Sequence, residues 1–319
     1  MESLVQLARA LENAQMGAGP DAGGVPRCQL EDGPRAAGVS GLLAERVPTL
    51  SSKSDRLDTT TWHIARVYDW WLGGKDNFQA DRDQAQAILQ VYPGARREAR
   101  NNRAFMREAV RRMARAGVRQ FLDIGAGIPT SPNLYEVAQS FEPKVRVVYV
   151  DNDPLVLVHA RALMTGATDY IDADIRQPEK ILEGARQTLD FTQPVGLTLI
   201  SILHFLDEQE PYNDKPYEIV ARLLEPLVSG SYLAISHGTF DLFSDELREH
   251  MRDMAKASRR PFGQRTKTQI ARFFDGLEMV PPGLVPLHEW LPEEDPDYPE
   301  RKPAEPGTEG YYAGLARVR

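Results

Sequence analysis

From Gln120 onward the chain repeats one grammar, a short apolar run, a turn, and then a stretch with helical spacing. Strands are expected at Gln120–Ile124, Val145–Val150, Tyr170–Asp174, Val195–Ile200 and Ser231–Ser236. Helices fall between them at Leu134–Ser140, Pro154–Met164, around Pro178–Ala185 and at Pro216–Leu227, three of these opening with Pro in the first turn. Asp245–Arg259 and Thr268–Phe274 read as two further helices. Leu284–Trp290 and Tyr311–Val318 are the last strand candidates, separated by a loop over Pro292–Gly310. Such alternation implies an α/β, doubly wound, mainly parallel sheet with helices on both faces. Ligands of that architecture bind at the carboxyl ends of the strands, so the strand ends are where chemistry is sought.

The segment before this alternation divides in two. No Trp, Tyr or Phe precedes Trp62, so the first 61 residues cannot contribute to a shared core as the rest does. Ser3–Ala14 carries apolar residues at helical spacing, and Met16–Pro34 is rich in Gly and Pro without periodicity. Residues 1–55 are therefore expected to be a mobile extension, with one domain over 56–319. Ile64–Leu72, Asp81–Val91 and Arg96–Ala116 read as three helices forming an N-terminal helical cap at about 62–118, the first stopped by Gly73-Gly74. On the third, Arg96, Arg100, Arg103, Arg107 and Arg111 line one face, opposite Phe105, Met106, Ala109, Val110 and Met113. The simplest account of that basic face is exposure to solvent, the alternative being a docking face for an acidic partner.

Composition excludes several classes. The single cysteine, Cys28, forms neither an internal disulfide nor a cysteine-built metal site, which makes a cytoplasmic setting the natural expectation. No apolar run approaches the roughly 18 residues of a membrane span, and Met1–Met16 carries Glu2, Arg9 and Glu12 with no apolar block, unlike a secretory signal. A net charge of −8 argues against general affinity for nucleic acid or an anionic membrane.

The first strand runs into Asp123-Ile124-Gly125-Ala126-Gly127-Ile128-Pro129-Thr130. Gly125 and Gly127 let the backbone turn sharply and approach a ligand. A dinucleotide fingerprint would place a third Gly where Thr130 stands, and a pyrophosphate would be poorly served by Asp123 beside its loop. The second strand ends at Asp151-Asn152-Asp153, 24 residues beyond Gly127, where an acid can grip both hydroxyls of a ribose. The third ends at Asp172-Ala173-Asp174-Ile175, where Asp174, or Asp172 with a shifted strand end, accepts from an adenine amino group and Ile175 covers a ring face. A Gly-rich turn followed by acids on two successive strand tips makes a nucleoside site, and the cofactor without a pyrophosphate that fits it is S-adenosylmethionine. Asp123, Pro129, Thr130, Asn152 and Ser201 complete the strand-tip candidates.

The stretch Arg66–Phe78 (RVYDWWLGGKDNF) with Ala80-Asp81-Arg82 resembles the opening motif of an actinobacterial S-adenosylmethionine-dependent methyltransferase family first catalogued as a domain of unknown function. Asn101–Phe105, Phe121–Thr130 with Asn133, Val148–Pro154, Leu203-His204-Phe205 and Gly230–His237 resemble it too, so the likeness spans about residues 56–319. It implies a class I methyltransferase sheet of seven strands whose last strand is antiparallel. It also implies that Tyr68–Asn77, including Gly74, lids the methionine end of the cofactor, with Arg66 or Arg103 available for its carboxylate.

His204 and His237 follow the fourth and fifth strands, and His204 is the candidate general base. Methyl transfer is an in-line displacement that can also proceed by alignment and exclusion of water, without a base. No metal constellation stands out, and Asp207, Glu208 and Glu210 read as a solvated acidic loop, as does Glu289–Glu300. The expected acceptor is an oxygen or nitrogen of a small molecule. A non-catalytic S-adenosylmethionine-binding regulator and a nicotinamide-dependent oxidoreductase remain alternatives.

Overall fold

Five strands lie side by side at the centre of the protein because their middles are apolar on both sides. In β1 (Gln120–Ile124) every residue is buried, and Leu122 stands opposite Val148 of β2 (Arg146–Asp151) on one side and Leu197 of β4 (Gly196–Ile200) on the other. β3 (Thr168–Asp172) adds beyond β2 and β5 (Tyr232–Gly238) beyond β4, all parallel. The remaining strands are antiparallel: β8 (Tyr311–Arg317) pairs with β5, and β6 (Glu278–Met279) lies on its far side. The order β3-β2-β1-β4-β5-β8-β6 is a path of seven strands, with the two-residue β7 (Val285–Pro286) also pairing with β8. The structure is a computed structural model and describes residues 58–163, 168–209, 212–257, 263–290 and 307–319. Arg56–Arg319 forms one compact unit. The extension expected over residues 1–55 and most of the Pro292–Gly310 loop lie outside the described residues, as do Cys28 and Glu210.

Alternation along the strands sends neighbouring side chains into two cores. Leu122, Val148, Leu197 and Leu233 face α6 (Pro178–Ala185) and α7 (Pro216–Leu224). Phe121, Val147, Ala234 and Leu315 face the carboxyl half of α3 (Ala95–Arg115) and α4 (Leu134–Gln139). A third core belongs to the cap. There α1 (Ile64–Leu72) and α2 (Gln79–Val91) meet the start of α3 and α8 (Asp245–Ala257) through Val67, Trp71, Ala85, Ala95, Ala99 and Met251. α1 ends at Gly73, whose φ of 87° closes the helix in the left-handed region. α5 (Pro154–Leu163) follows β2, and the short α9 (Lys267–Ala271) follows α8 in the chain. Among the described residues no helix is long and apolar enough to cross a membrane.

Two expectations are corrected. Leu284–Trp290 is not a strand of full length, because pairing stops at Pro286, which has no N–H to donate, and Leu287–Trp290 closes a 3-10 turn. The turn delivers Trp290 into the core, where it meets Phe105 edge to face at 5.4 Å and donates Nε1–H to Ala313 O at 2.9 Å. The arginine face of α3 is also not a solvated surface as a whole: Arg107 is buried and Arg103 half-buried, while Arg96 and Arg100 remain exposed.

Trp290 therefore couples the 3-10 turn, α3 and β8. Trp290→Ala is expected to cost about 3–5 kcal/mol of stability through the lost packing. A urea titration would read this as a lowered midpoint at unchanged slope.

Candidate active site

Where β1 ends, the backbone turns back on itself over the tip of β2. The N–H groups of Gly125 and Ala126 both donate to Val150 O, at 2.8 and 3.2 Å. This path needs left-handed backbone, with φ of 78° at Gly125 and 66° at Gly127. Asp151 ties the turn down, Oδ2 accepting from Gly127 N–H at 2.8 Å and Oδ1 from Asp153 N–H at 2.9 Å. Each oxygen keeps a further lone pair for a ligand. At the tip of β3, Asp174 accepts from Asn152 Nδ2 at 2.9 Å and pairs with Arg176, and Ile175 is buried beside it. Asp172 is exposed and off the cavity wall, so the acid that faces the cavity here is Asp174.

These tips open into one cavity of about 780 Å³ that continues beneath the cap. Its wall includes Tyr68, Arg103, Asp123, Gly125, Gly127, Thr130, Asp151, Asn152, Asp174, Ile175, Ser201 and His204. Arg103 reaches it from α3, with Nη2 donating to the carbonyls of Thr130 at 2.6 Å and Pro132 at 3.0 Å, and burial lowers its pKa. Asp123 accepts from Thr198 Oγ1 at 2.6 Å, and burial pushes its carboxyl up to about 6. Burial also raises Asp151, against the pull of its backbone donors. Ser201 has φ of 59°, unusual for a residue with a side chain, and its N–H donates to both Ser236 O and Ser236 Oγ at 3.0 Å. Its Oγ lies 3.0 Å from Tyr311 Oη.

Gly74, Asn77 and Pro129 lie off the wall. Gly74 and Asn77 build the turn after α1 instead. Asn77 Nδ2 donates to Asp69 Oδ2 at 2.8 Å and to Gly74 O at 3.1 Å, and a Cβ on Gly74 would collide with the Asp69 carboxylate. Arg66 also turns away, donating to the carbonyls of Asp58 and Thr61, so the guanidinium in the cavity is that of Arg103. His237 is buried off the wall, Nε2 facing Arg265 Nη1 at 3.2 Å. His204 is on the wall but unsuited to general-base work. Its Nδ1 accepts from Gly238 N–H at 3.2 Å, and burial, then the Arg265 charge, drive its pKa down to about 3.

The sequence reading missed the far half of the cavity, lined by Trp71, Ile88, Tyr92, Phe240, Phe243 and Met251, and with them Glu98. Glu98 is buried, and burial pushes its carboxyl up to about 8. Its signal was present in the spacing: 98, 102, 105 and 109 share the inward face of α3.

A Gly-rich turn tied to an acid on the next strand, under a seven-strand path ending antiparallel, defines a nucleoside-binding enzyme of the class I methyltransferase type. Residues 50–319 match the family described as S-adenosyl methyltransferase, and the chain belongs to it. It is an S-adenosylmethionine-dependent methyltransferase. The solved structure of a DUF574 family protein from Streptomyces avermitilis is 43% identical with a TM-score of 0.75, covering 83% of this chain and 100% of its own. That of a candidate methyltransferase from Thermobifida fusca is 38% identical with a TM-score of 0.71, covering 81% of this chain and 96% of its own. No curated protein matches the chain.

The cavity acids give the protein a pH signature. Asp123 and Glu98 have raised pKa values when folded, so the stability they contribute is present at low pH and lost as pH rises through about 6 and about 8. Buried His204 and His237 act oppositely, their folded values lying below the unfolded one near 6.5, but that contribution is complete above it. Between about pH 6.5 and 8 Glu98 therefore dominates, and stability is expected to fall by up to about 2 kcal/mol. Urea midpoints across this window should decline for the wild type and stay flat for Glu98→Gln.

Proposed function

We propose that the chain transfers the methyl group of S-adenosylmethionine to an oxygen or nitrogen of a small molecule enclosed in the cavity. The observation that carries this reading is the continuity of one cavity from the strand tips to the apolar chamber beneath the cap. Its volume of about 780 Å³ lies within the range of about 300–1,000 Å³ of small-ligand sites. The residues present fit the cofactor. Arg103 and Asp123 bring a cation and an anion to the Gly-rich turn, matching the carboxylate and ammonium of an amino acid. Asp151 would hold the ribose hydroxyls, Asn152 would flank them, and Asp174 with Ile175 would frame adenine. Gly125 and Gly127 keep the turn low over the ligand, Thr130 and Ser201 shape its margins, and Tyr68 closes over it from α1.

When bound, the cofactor supplies an electrophilic methyl group on a positively charged sulfur. The chain's part is to align the acceptor behind that carbon and keep water out, which the cap does by covering the strand tips. The buried neutral His204 serves as wall and hydrogen-bond acceptor. The reading includes the cytoplasmic setting suggested by the single cysteine and leaves nucleic acid and membranes outside its partners.

Asp151→Ala is expected to weaken S-adenosylmethionine binding by about 100-fold or more, since each charge-assisted hydrogen bond contributes about 1.5–3 kcal/mol. Calorimetry checks this, and unchanged affinity removes the ribose assignment. Incubation with a fractionated metabolite extract should yield S-adenosylhomocysteine and a methylated small molecule. Transfer only to macromolecules would sink the small-acceptor reading.

A further inference from the structure

Glu98 is a carboxyl group that cofactor binding leaves without a task. It lies on the cavity wall with 3% of its surface exposed. Its ion partner is Arg97, whose Nε stands 3.7 Å from Oε1, beyond hydrogen-bond range, and whose Nη2 is committed to Thr308 O and Oγ1. The Arg97 guanidinium pulls the Glu98 pKa down but does not offset the burial that pushes it up. A ligand donor at this carboxyl would supply the close hydrogen bond that Arg97 Nε at 3.7 Å does not.

What surrounds Glu98 defines that ligand. The chamber beside it is walled by Trp71, Ile88, Tyr92, Phe243 and Met251. The titratable groups that interact electrostatically with Glu98 are Arg97 on its own helix, Tyr92 before it, Tyr68 of α1, Glu309 just before β8 and Tyr311 at its start. Tyr68 Oη already donates to Ala99 O at 2.8 Å, and Tyr92 Oη to Thr308 O at 3.0 Å. Glu98 shares the cavity wall with Ser201, His204 and Tyr311. A Cβ built on Gly125 would lie 3.0 Å from Ile202, whose neighbour Ser201 meets Tyr311, and Tyr311 is within electrostatic range of Glu98.

We propose that the methyl acceptor is an apolar, ring-bearing compound carrying a hydroxyl or amine, and that Glu98 receives first the hydrogen bond and then the proton of that group. The inference rests on the small-acceptor reading and specifies its substrate class. The acceptor oxygen or nitrogen forms a bond to the methyl carbon. The carbon–sulfur bond breaks with its electron pair staying on sulfur. The acceptor proton passes to the Glu98 carboxylate, which returns it to solvent once product leaves. The transfer needs the ionised carboxylate, so with its carboxyl pushed up to about 8 by burial Glu98 takes up the proton increasingly as pH rises toward and past that value. The aromatic walls favour ring stacking and edge contacts over a charged or strongly hydrated acceptor.

The test uses the full chain saturated with S-adenosylhomocysteine and titrated with 2-naphthol and with naphthalene. The wild type should bind 2-naphthol at least about tenfold more tightly, and Glu98→Leu should erase the preference. Glu98→Gln should remove the rise in 2-naphthol affinity between about pH 7 and 8.5 that the wild type shows as its carboxyl ionises. Affinity for S-adenosylhomocysteine within about twofold of wild type certifies that each variant is folded. Failure of both probes to bind, or a preference that survives Glu98→Leu, overturns the inference. Should that variant not fold, a pH profile shared by wild type and Glu98→Gln overturns it instead. Methyl transfer confined to macromolecules, with the naphthol preference intact, would sink the small-acceptor reading and the substrate class with it, leaving Glu98 as the hydrogen-bond acceptor of the chamber. Loss of the preference alongside transfer to small molecules would sink this inference alone.

Discussion

The placement of the cap over the strand tips depends on one helix that belongs to two cores. α3 is 21 residues long, about 30 Å at 1.5 Å per residue. Its carboxyl half is locked against the sheet by Phe105, Val110 and Met113. Its amino half packs against the cap through Ala95 and Ala99, whose small side chains let α1 come close enough for Tyr68 to donate to Ala99 O. A rigid rod anchored at both ends fixes the gap between cap and sheet, and that gap is the cavity. The same rod carries Arg103 toward the Gly-rich turn and Glu98 toward the apolar chamber, so the two charged groups are spaced by helix geometry rather than by loops.

The acids of this protein sort by what surrounds them. Burial pushes Asp153 up, but the hydrogen bond and charge of His63, a backbone donor and Arg66 more than offset it, and its pKa falls. Asp81 accepts from the backbone of both His63 and Phe78. Those carboxylates staple the cap together through His63, Arg66 and the backbone of Phe78 and Leu155. Asp123 and Glu98 are buried with fewer partners, and burial raises both pKa values. A protein tolerates such groups where a bound molecule completes them, which is why perturbed acids on a cavity wall carry functional meaning that stapling acids lack.

Local chemistry made the strand-tip half of the cavity legible in the sequence. A strand that ends in Gly-x-Gly and successive strands that end in Asp are read in chain order, because parallel strands place all their carboxyl ends on one edge. Boundaries moved by only a few residues, as where β3 spans Thr168–Asp172 rather than Tyr170–Asp174. The failures were tertiary. Gly74 and Asn77 carry the composition of a ligand loop, yet their donors and space are consumed by Asp69. Leu284–Trp290 has strand-like alternation, but Pro286 interrupts the ladder. Arg107 reads as surface because its charge outweighs its stem in any periodicity argument, though a long side chain can run along a helix that is otherwise covered.

The far half of the cavity was illegible for a more general reason. Trp71, Ile88, Phe243 and Met251 come from segments far apart in the chain, each an apolar residue near others that are wholly core. Periodicity reports that a side chain points inward and is silent on whether it meets another side chain or a cavity. Only a group that is costly to bury separates the two cases. Glu98 occupies the inward stripe of α3 where Ala95, Phe105 and Ala109 stand, and a carboxyl there is costly to bury even with Arg97 at 3.7 Å beside it. The feature that looks like an error in the core pattern is thus the one that distinguishes a chamber built to receive a molecule from a core built to exclude one.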